Sequence, residues 1–135
     1  MTYLVDANVL SEPTKVAPHA GALDWLRRHE GDLVVDPFIV GEIRFGILLL
    51  PRGKRRARLE QWFDSGVQRL HCLPCEADFG PRWAELLARL RGTGSAMPIK
   101  DSLIATTALL HGLTVATRNR VDFEKARVKV VNPFD

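Results

Sequence analysis

The sequence predicts a three-layer α/β/α fold in which a mostly parallel sheet of four to five strands lies between helices. Short apolar runs alternate with longer segments whose apolar residues recur every three or four positions, which indicates strands alternating with helices. The runs are almost wholly apolar, as expected of parallel strands that are covered on both faces. No linker or internal repeat divides the 135 residues, so we expect a single domain over residues 1–135.

The predicted strands are short and are bounded by polar residues or turns. They cover residues 2–5, 33–35, 70–73, 113–116 and 128–131. A polar turn with Pro13 and Pro18 follows the first strand, and a turn over residues 119–124 precedes the last strand. The first strand ends directly at Asp6, so its carboxyl end leads into an acidic residue.

The predicted helices carry apolar residues at helical spacing and have recognisable ends. They cover residues 19–29, 37–50, 54–68, 76–91 and 100–111. Asp36 supplies an N-cap, and Pro37 stands at the first helical position, where proline is well tolerated. Gly112 follows the last of these helices, where a residue of left-handed conformation is expected.

The charge pattern is mildly basic. The formal net charge is +3, with basic clusters at residues 52–58, 118–120 and 125–129. A solvated surface accounts for such clusters, but cations at the start of the helix over residues 54–68 oppose its dipole and favour an anionic partner. The apolar run at residues 38–50 is interrupted by charge and is too short to span a bilayer. No signal peptide is visible, so we expect a cytoplasmic protein without a membrane partner.

Two cysteines, Cys72 and Cys75, are spaced as C-x-x-C. A structural zinc site needs four ligands and no second pair follows, so zinc is not expected. A thiol–disulfide motif is the alternative, because Cys-Leu-Pro-Cys has the spacing of redox-active pairs. A strand at this place directs residues three apart to opposite faces, which favours two buried, reduced thiols instead.

Four acidic residues that lie far apart in sequence are predicted to meet at one edge of the sheet. Asp6 follows the first strand, and Asp122 follows the fourth strand after a short turn. Asp101 lies in the first turn of its helix, and Glu42 lies in the second turn of another. In a parallel α/β sheet the N-termini of the helices lie at the same edge as the C-termini of the strands. Topology therefore gathers all four carboxylates.

Structural roles are the alternative for three of these residues. Asp6 is placed where it could cap a short helical turn, and Asp101 is placed where it could interact with a helix dipole. Asp122 could form a capping pair with Asn119. Glu42 is different, because a residue in the second turn has no capping role. A metal ligand remains the functional interpretation of all four.

The surroundings of Glu42 support that interpretation. It shares a helix face with Phe38, Phe45 and Leu49, whereas Arg44 projects from another face. A carboxylate on an apolar face is unfavourable unless a cation or a hydrogen-bond donor compensates it. Arg44 is therefore not expected to neutralise Glu42, which favours its interpretation as a metal ligand.

Clustered carboxylates favour Mg²⁺ or Mn²⁺, which prefer oxygen ligands. Such a cation polarises a phosphodiester and lowers the pKa of an attacking water. The histidines are scattered, and the sequence contains neither a G-x-S-x-G elbow nor a glycine-rich phosphate loop. A phosphoaspartate enzyme is a rival for an aspartate after the first strand, but the second aspartate that such enzymes place two positions later is here Asn8.

Four segments resemble a known family. They are Val-Asp-Ala-Asn-Val-Leu-Ser-Glu (5–12), Gly-Glu-Ile-Arg-Phe-Gly (41–46), Pro-Ile-Lys-Asp-Ser-Leu-Ile-Ala-Thr-Thr-Ala (98–108) and Ala-Thr-Arg-Asn-Arg-Val-Asp-Phe (116–123). In order and spacing they resemble PIN-domain ribonucleases, and especially VapC-type toxins of toxin–antitoxin pairs, including the FitB-like branch. The likeness covers essentially the whole chain.

The resemblance implies roles for individual residues. Asp6, Glu42, Asp101 and Asp122 would form the catalytic, metal-binding acidic site, and Asn8, Thr117 and Asn119 would be supporting polar residues. The implied cofactor is Mg²⁺ or Mn²⁺. The implied reaction is hydrolysis of structured RNA, either tRNA or rRNA, which inhibits translation and growth.

The resemblance also implies partners. A homodimer is expected, together with a VapB-type antitoxin whose tail occupies the acidic groove. Through that antitoxin, a larger complex would bind operator DNA. The alternative is a non-catalytic PIN-like module that binds an antitoxin for transcriptional autoregulation.

Overall fold

Five strands form one sheet in which every pairing is parallel. The computed structural model describes residues 1–135. The strands are β1 (Tyr3–Val5), β2 (Leu33–Val35), β3 (His71–Cys72), β4 (Thr114–Ala116) and β5 (Lys129–Val131). From edge to edge their order is β3-β2-β1-β4-β5, so β1 lies at the centre. The predicted parallel α/β fold is confirmed.

Seven α-helices connect or follow the strands. They are α1 (Ala7–Leu10), α2 (Ala20–Arg28), α3 (Pro37–Leu48), α4 (Lys54–Ser65), α5 (Phe79–Gly92), α6 (Ile99–His111) and α7 (Arg120–Lys125). Three short 3-10 helices cover Glu12–Thr14, Glu30–Asp32 and Val67–Arg69. Gly112 adopts the predicted left-handed conformation, with φ of 64°, and ends α6. No helix combines the length and the apolar character needed to cross a membrane.

One segment that was predicted as a turn is helical. The prediction of a turn at residues 119–124 is wrong, because Arg120–Lys125 form α7. This helix is stabilised by an ion pair between Arg120 and Glu124, which lie one turn apart with 2.8 Å between the charged atoms. It also buries Phe123 completely. After β1, residues 7–10 form α1, the short helical turn of the capping alternative for Asp6, whose carboxylate accepts a hydrogen bond from the first amide of that helix.

The two central strands are covered on both faces. Adjacent residues of a strand point to opposite faces, yet Leu4 and Val5 of β1 are both fully buried. Val115 and Ala116 of β4 are fully buried as well. Helices therefore shield both sides of the sheet, which explains why these strands are continuous apolar runs.

The pairing of β1 with β4 aligns the ends of both strands. Val5 lies opposite Ala116, and the amide of Asp6 donates a hydrogen bond to the Ala116 carbonyl at 2.9 Å. The next residue of that neighbouring strand is Thr117, whose amide bonds the Val131 carbonyl of β5 at 3.0 Å. The carboxyl ends of three strands thus converge around Asp6 and Thr117.

Asp36 connects two helices that border this edge. One carboxylate oxygen accepts the amide of Ile39 at 2.8 Å and caps α3, as the sequence predicted. The other oxygen accepts the hydroxyl of Thr107 on α6 at 2.7 Å. Burial raises the pKa of this fully buried carboxyl group. The two hydrogen bonds compensate for its loss of solvent and hold α3 against α6.

The cysteines differ from expectation. Cys72 and Cys75 are free and exposed, so the prediction of buried thiols is wrong. Strand β3 contains two residues at the edge of the sheet, and Cys75 follows it. At the edge of the sheet, a strand this short leaves both side chains exposed to solvent. Partial desolvation raises the pKa of the Cys72 thiol, which opposes thiolate formation.

We expect Asp36→Ala to lower the free energy of unfolding by about 2 kcal/mol or more, because it removes a helix cap and leaves the Thr107 hydroxyl without a partner. Chemical denaturation of the purified protein measures this loss. Asp78→Ala is the matched control: Asp78 stands at the N-cap of α5, is exposed, and makes no capping hydrogen bond. Its substitution should change stability by less than about 0.5 kcal/mol. Equal losses in the two variants would contradict the role of Asp36.

Candidate active site

The four predicted acidic residues lie at the carboxyl edge of the sheet. Asp6 follows β1, Glu42 lies in α3, Asp101 in the first turn of α6 and Asp122 in the first turn of α7. Their charges interact: Glu42 and Asp101 act on Asp6, while Asp122 and Glu42 act on Asp101. The structure therefore brings together the residues that topology predicted.

Asp6 is the most buried of the four, with only 2% of its surface exposed. Burial, together with the negative charges of Glu42 and Asp101, raises the pKa of its carboxyl group to about 6. A hydrogen bond from Thr117 opposes this shift. The aspartate is thus held where its ionised form is costly, a situation that a bound cation reverses.

Asp6 uses both carboxylate oxygens. Oδ1 accepts the amide of Ala7 at 2.8 Å, so the alternative role as a helix cap is real. Oδ2 accepts the hydroxyl of Thr117 at 2.7 Å and lies 3.4 Å from the Asn8 amide nitrogen. Capping and clustering are therefore compatible, because each engages a different oxygen.

The three supporting residues contribute unequally. The Thr117 hydroxyl donates to Asp6 and accepts the Asn119 amide at 3.0 Å, which fixes its orientation. The Asn8 side chain lies within 3.5 Å of Thr117 and accepts the Arg118 amide at 3.1 Å. Asn119 acts through its backbone, since it stands at the N-cap of α7 without a side-chain capping bond. The predicted capping pair of Asn119 with Asp122 is absent.

Asp101 is nearly as buried as Asp6, at 3% exposure. Burial raises the pKa of its carboxyl group; the positive charge of Lys100 opposes the shift, and the charges of Asp122 and Glu42 add to it. Its helix lies against the core through Ile104, Ala105 and Ala108, which are almost fully buried. The small side chains of Ala105 and Ala108 allow α6 to approach closely and carry Asp101 to the edge of the sheet.

Glu42 has a partner that sequence reasoning missed. The Lys100 ammonium donates to Glu42 Oε2 at 2.8 Å, and this bond raises the pKa of Lys100. The other oxygen, Oε1, is buried and has no hydrogen-bond partner. Arg44 pairs instead with Glu60 at 3.2 Å, which confirms that it does not neutralise Glu42. One oxygen of the Glu42 carboxylate therefore accepts no hydrogen bond from the protein.

Asp122 is paired in a similar way. Lys125, one turn later on α7, lies 3.4 Å from its carboxylate and also donates to the Ala96 carbonyl at 2.8 Å. Asp122 acts on Asp101 but is not among the charges that act on Asp6. It is accordingly the outermost member of the cluster.

The residues present fit a divalent cation, although no three carboxylates converge closely enough to form a ligand set as the side chains stand. Glu42 forms an ion pair with Lys100, and Asp122 forms an ion pair with Lys125. The donor set is all oxygen, and the Oε1 atom of Glu42 has no hydrogen-bond partner. Buried like charges with an unpaired oxygen are a setting in which Mg²⁺ or Mn²⁺ compensates the desolvation.

A groove of about 320 Å³ adjoins the acidic cluster. Asn8 and Glu42 line it, and so does Arg55, near the start of α4. Its apolar lining includes Ile43, Ile47, Leu59 and Trp62. Lys54, Arg55 and Arg58 are exposed and form no ion pair, whereas Arg56 bonds the Leu50 carbonyl and Glu60. Free positive charge thus lies beside the groove.

The sequence carried a signal for Lys100 that the prediction did not use. Lys100 precedes Asp101 and lies in the first turn of α6, where a positive charge opposes the helix dipole. An unfavourable cation at this position indicates a nearby anion. Its partner is 58 residues away, so the pairing itself depends on the fold.

The comparisons with known proteins agree on one family. The family model described as PIN domain matches residues 3–129. Plasmid stability protein StbB of Pseudomonas syringae pv. tomato is 38% identical, covering 98% of each chain. VapC ribonuclease Y4jK of Sinorhizobium fredii is 32% identical, covering 98% of this chain and 97% of the relative. Toxin FitB of Neisseria gonorrhoeae is 32% identical, covering 97% of each.

Solved structures show the same similarity. The structure of FitAB bound to the IR36 DNA fragment contains a chain that matches with a TM-score of 0.93 and 30% identity. The match covers 99% of this chain and 96% of that chain. Backbone and sequence comparisons therefore lead to the same group of proteins.

We expect the stability of the cation-free protein to fall as the pH rises from 4.5 to 7.5. The pKa of Asp6 is raised from 3.8 to about 6 in the folded state, so the folded protein binds more protons than the unfolded chain in this range. Asp6→Asn removes that dependence. The difference in the free energy of unfolding, variant minus wild type, should be about 2 kcal/mol larger at pH 7.5 than at pH 4.5.

Chemical denaturation in the presence of EDTA at both pH values measures this difference. Asp32→Asn is the control, because Asp32 is exposed and precedes β2 at the opposite edge of the sheet. A difference between Asp6→Asn and the wild type that did not change with pH would contradict the raised pKa.

Proposed function

This chain belongs to the PIN domain family, and we propose that it is a metal-dependent endoribonuclease, the VapC-type toxin of a toxin–antitoxin pair. The observation that carries the proposal is the cluster of Asp6, Glu42, Asp101 and Asp122 at the carboxyl edge of the sheet. We take residues 1–135 as one PIN domain. The relatives named as a VapC ribonuclease and as a toxin support the same function.

The four carboxylates are proposed as the catalytic and metal-binding set. Asp6 and Asp101 form the inner pair, because they are almost fully buried and their pKa values are raised. Glu42 adds the unpaired Oε1 atom, and Asp122 lies at the periphery. These residues would hold a divalent cation, Mg²⁺ or Mn²⁺, which would supply positive charge to the phosphodiester and lower the pKa of an attacking water.

The chain's own residues set the geometry for that chemistry. Thr117 and Asn8 hold the Asp6 carboxylate in one orientation through their contacts with Oδ2. The paired strands β1 and β4 fix the backbone beneath it, and the hydrogen bond between Asp36 and Thr107 fixes α3 relative to α6. The carboxylates that meet the substrate are therefore prepositioned, which lowers the cost of reaching the transition state.

The RNA substrate is proposed from the charges beside the site. Lys54, Arg55 and Arg58 are exposed and free of ion pairs, so they are available to phosphate groups. Structured tRNA or rRNA is the proposed target class, and its cleavage would stop translation and growth. A cytoplasmic location follows from that substrate.

The groove and an exposed apolar patch fit protein partners. The groove combines an apolar lining with Glu42 and Arg55, as a peptide segment of an antitoxin requires. Phe45, Leu48 and Leu49 are exposed on α3 and form an apolar patch that suits a homodimer or the same antitoxin. The DNA in the FitAB structure supports a larger complex on operator DNA, formed through the antitoxin.

A non-catalytic module that binds an antitoxin is the second candidate function. The observation in its favour is that two lysines already compensate Glu42 and Asp122 without a metal. Isothermal calorimetry separates the candidates: the endoribonuclease must bind Mn²⁺ at the acidic site, whereas the non-catalytic module binds an antitoxin tightly and shows no site for Mn²⁺.

We expect the purified protein to cleave structured RNA in the presence of Mg²⁺ or Mn²⁺ and to lose that activity in EDTA. Asp6→Asn and Asp101→Asn should each lower the rate by about 100-fold or more, because each removes a negative charge that the cation needs. Gel analysis of end-labelled RNA measures the rate. Glu42→Gln should also reduce activity.

The matched control is Asp32→Asn, which removes an exposed carboxylate at the opposite edge of the sheet and should retain full activity. Cys72→Ser should also be fully active, since the exposed thiol has a raised pKa. Cleavage that persists in EDTA and in both aspartate variants would contradict the mechanism.

A further inference from the structure

Lys100 lies inside the acidic cluster and is its nearest positive charge. Its ammonium bonds Glu42 Oε2 at 2.8 Å and acts electrostatically on Asp101 and Asp6 as well. Its side chain is 50% exposed, and that of Glu42 is 30% exposed. The lysine thus reaches the cluster from the solvent side, which is the side from which a substrate must approach.

The position of Lys100 is unfavourable for helix stability alone. It stands in the first turn of α6, beside the positive end of the helix dipole. The Glu42 ion pair offsets this cost, but a neutral helix-forming residue would avoid it altogether. A lysine at the mouth of an acidic site is better explained by an anion that binds there.

The bond between Lys100 and Glu42 is easily exchanged. Exposed ion pairs of this kind change an equilibrium constant by no more than about fivefold. A lysine side chain is also a point charge on a flexible stem, so the ammonium moves without disturbing the helix. By contrast, Lys125 is fixed near Asp122 by a second bond to the Ala96 carbonyl. Lys100 is therefore the mobile cation of the site.

We propose that Lys100 is a phosphate-binding residue that the metal ion releases. In the cation-free protein it is the counter-ion of Glu42; when Glu42 turns to a divalent cation, the ammonium is displaced and binds a phosphate oxygen of the RNA backbone. The inference rests on the proposed function. Lys100 would thus have two roles. Without a metal it balances the charge of the carboxylates, and with a metal bound it contacts the RNA that is cleaved.

Two binding measurements on Lys100→Met test the proposal without using activity. In calorimetric titration with MnCl₂ and no RNA, the variant should bind Mn²⁺ about twofold to fivefold more tightly, because the cation no longer displaces an ammonium. In fluorescence anisotropy with a labelled single-stranded RNA, the variant should bind about tenfold more weakly in Ca²⁺ and equally well in EDTA. Ca²⁺ replaces Mg²⁺ there to limit cleavage.

The salt dependence gives a further readout. In Ca²⁺ the slope of the logarithm of RNA affinity against the logarithm of salt concentration should decrease by about one for Lys100→Met, the loss of one phosphate contact. Lys100→Arg should retain the wild-type slope. Lys129→Met, which removes an exposed charge on β5, is the charge-matched control and should affect Ca²⁺ and EDTA conditions equally.

Three results would overturn the proposal. Weaker Mn²⁺ binding by Lys100→Met would mean that the lysine only orients Glu42 for the cation. An equal loss of RNA affinity in EDTA and in Ca²⁺ would mean that Lys100 contacts phosphate whether or not a metal is bound. No loss of RNA affinity in either condition would mean that Lys100 makes no phosphate contact. Absence of RNA cleavage by the wild-type protein would refute the proposed function instead, while the Mn²⁺ titration would still report whether an ammonium is displaced.

Discussion

The burial of the Asp6 carboxylate is the interaction on which the rest of the site depends. The parallel pairing of β1 with β4 places Asp6 next to Thr117 and removes it from solvent. A charge in that position is unfavourable by itself, and the neighbouring Glu42 and Asp101 make it more so. The hydroxyl of Thr117, the amide of Ala7 and the ammonium of Lys100 each offset part of this cost.

Burial alone does not mark a functional carboxylate, as Asp36 shows. Its pKa is raised by burial, like those of Asp6 and Asp101, but no other carboxyl group contributes to the shift. Both of its oxygens are satisfied by hydrogen bonds that cap α3 and bind Thr107. Mutual repulsion among carboxylates, together with an oxygen that lacks a donor, distinguishes the site from this structural aspartate.

The sequence predicted that Glu42 lies on an apolar helix face, where a carboxylate is unfavourable unless it is paired or bound to a metal, but it left the surroundings of that face open. The face that it shares with Phe45 and Leu49 is not part of the core, because these residues are 62% and 68% exposed. The exposed face is an apolar patch, and the carboxylate is compensated by Lys100. Helical periodicity identifies which residues share a face, but it does not say whether another element covers that face.

The amino-acid sequence was sufficient to predict the parallel α/β fold, the cap of α3 at Asp36, and the edge of the sheet at which the acidic residues lie. These follow from local patterns: apolar runs, caps, and the rule that helices begin where parallel strands end. Tertiary structure alone decided that α7 is a helix, that both cysteines are exposed, and that Lys100 pairs with Glu42. These outcomes depend on which distant elements pack together, and the free energy of such contacts is not encoded in any local window of sequence.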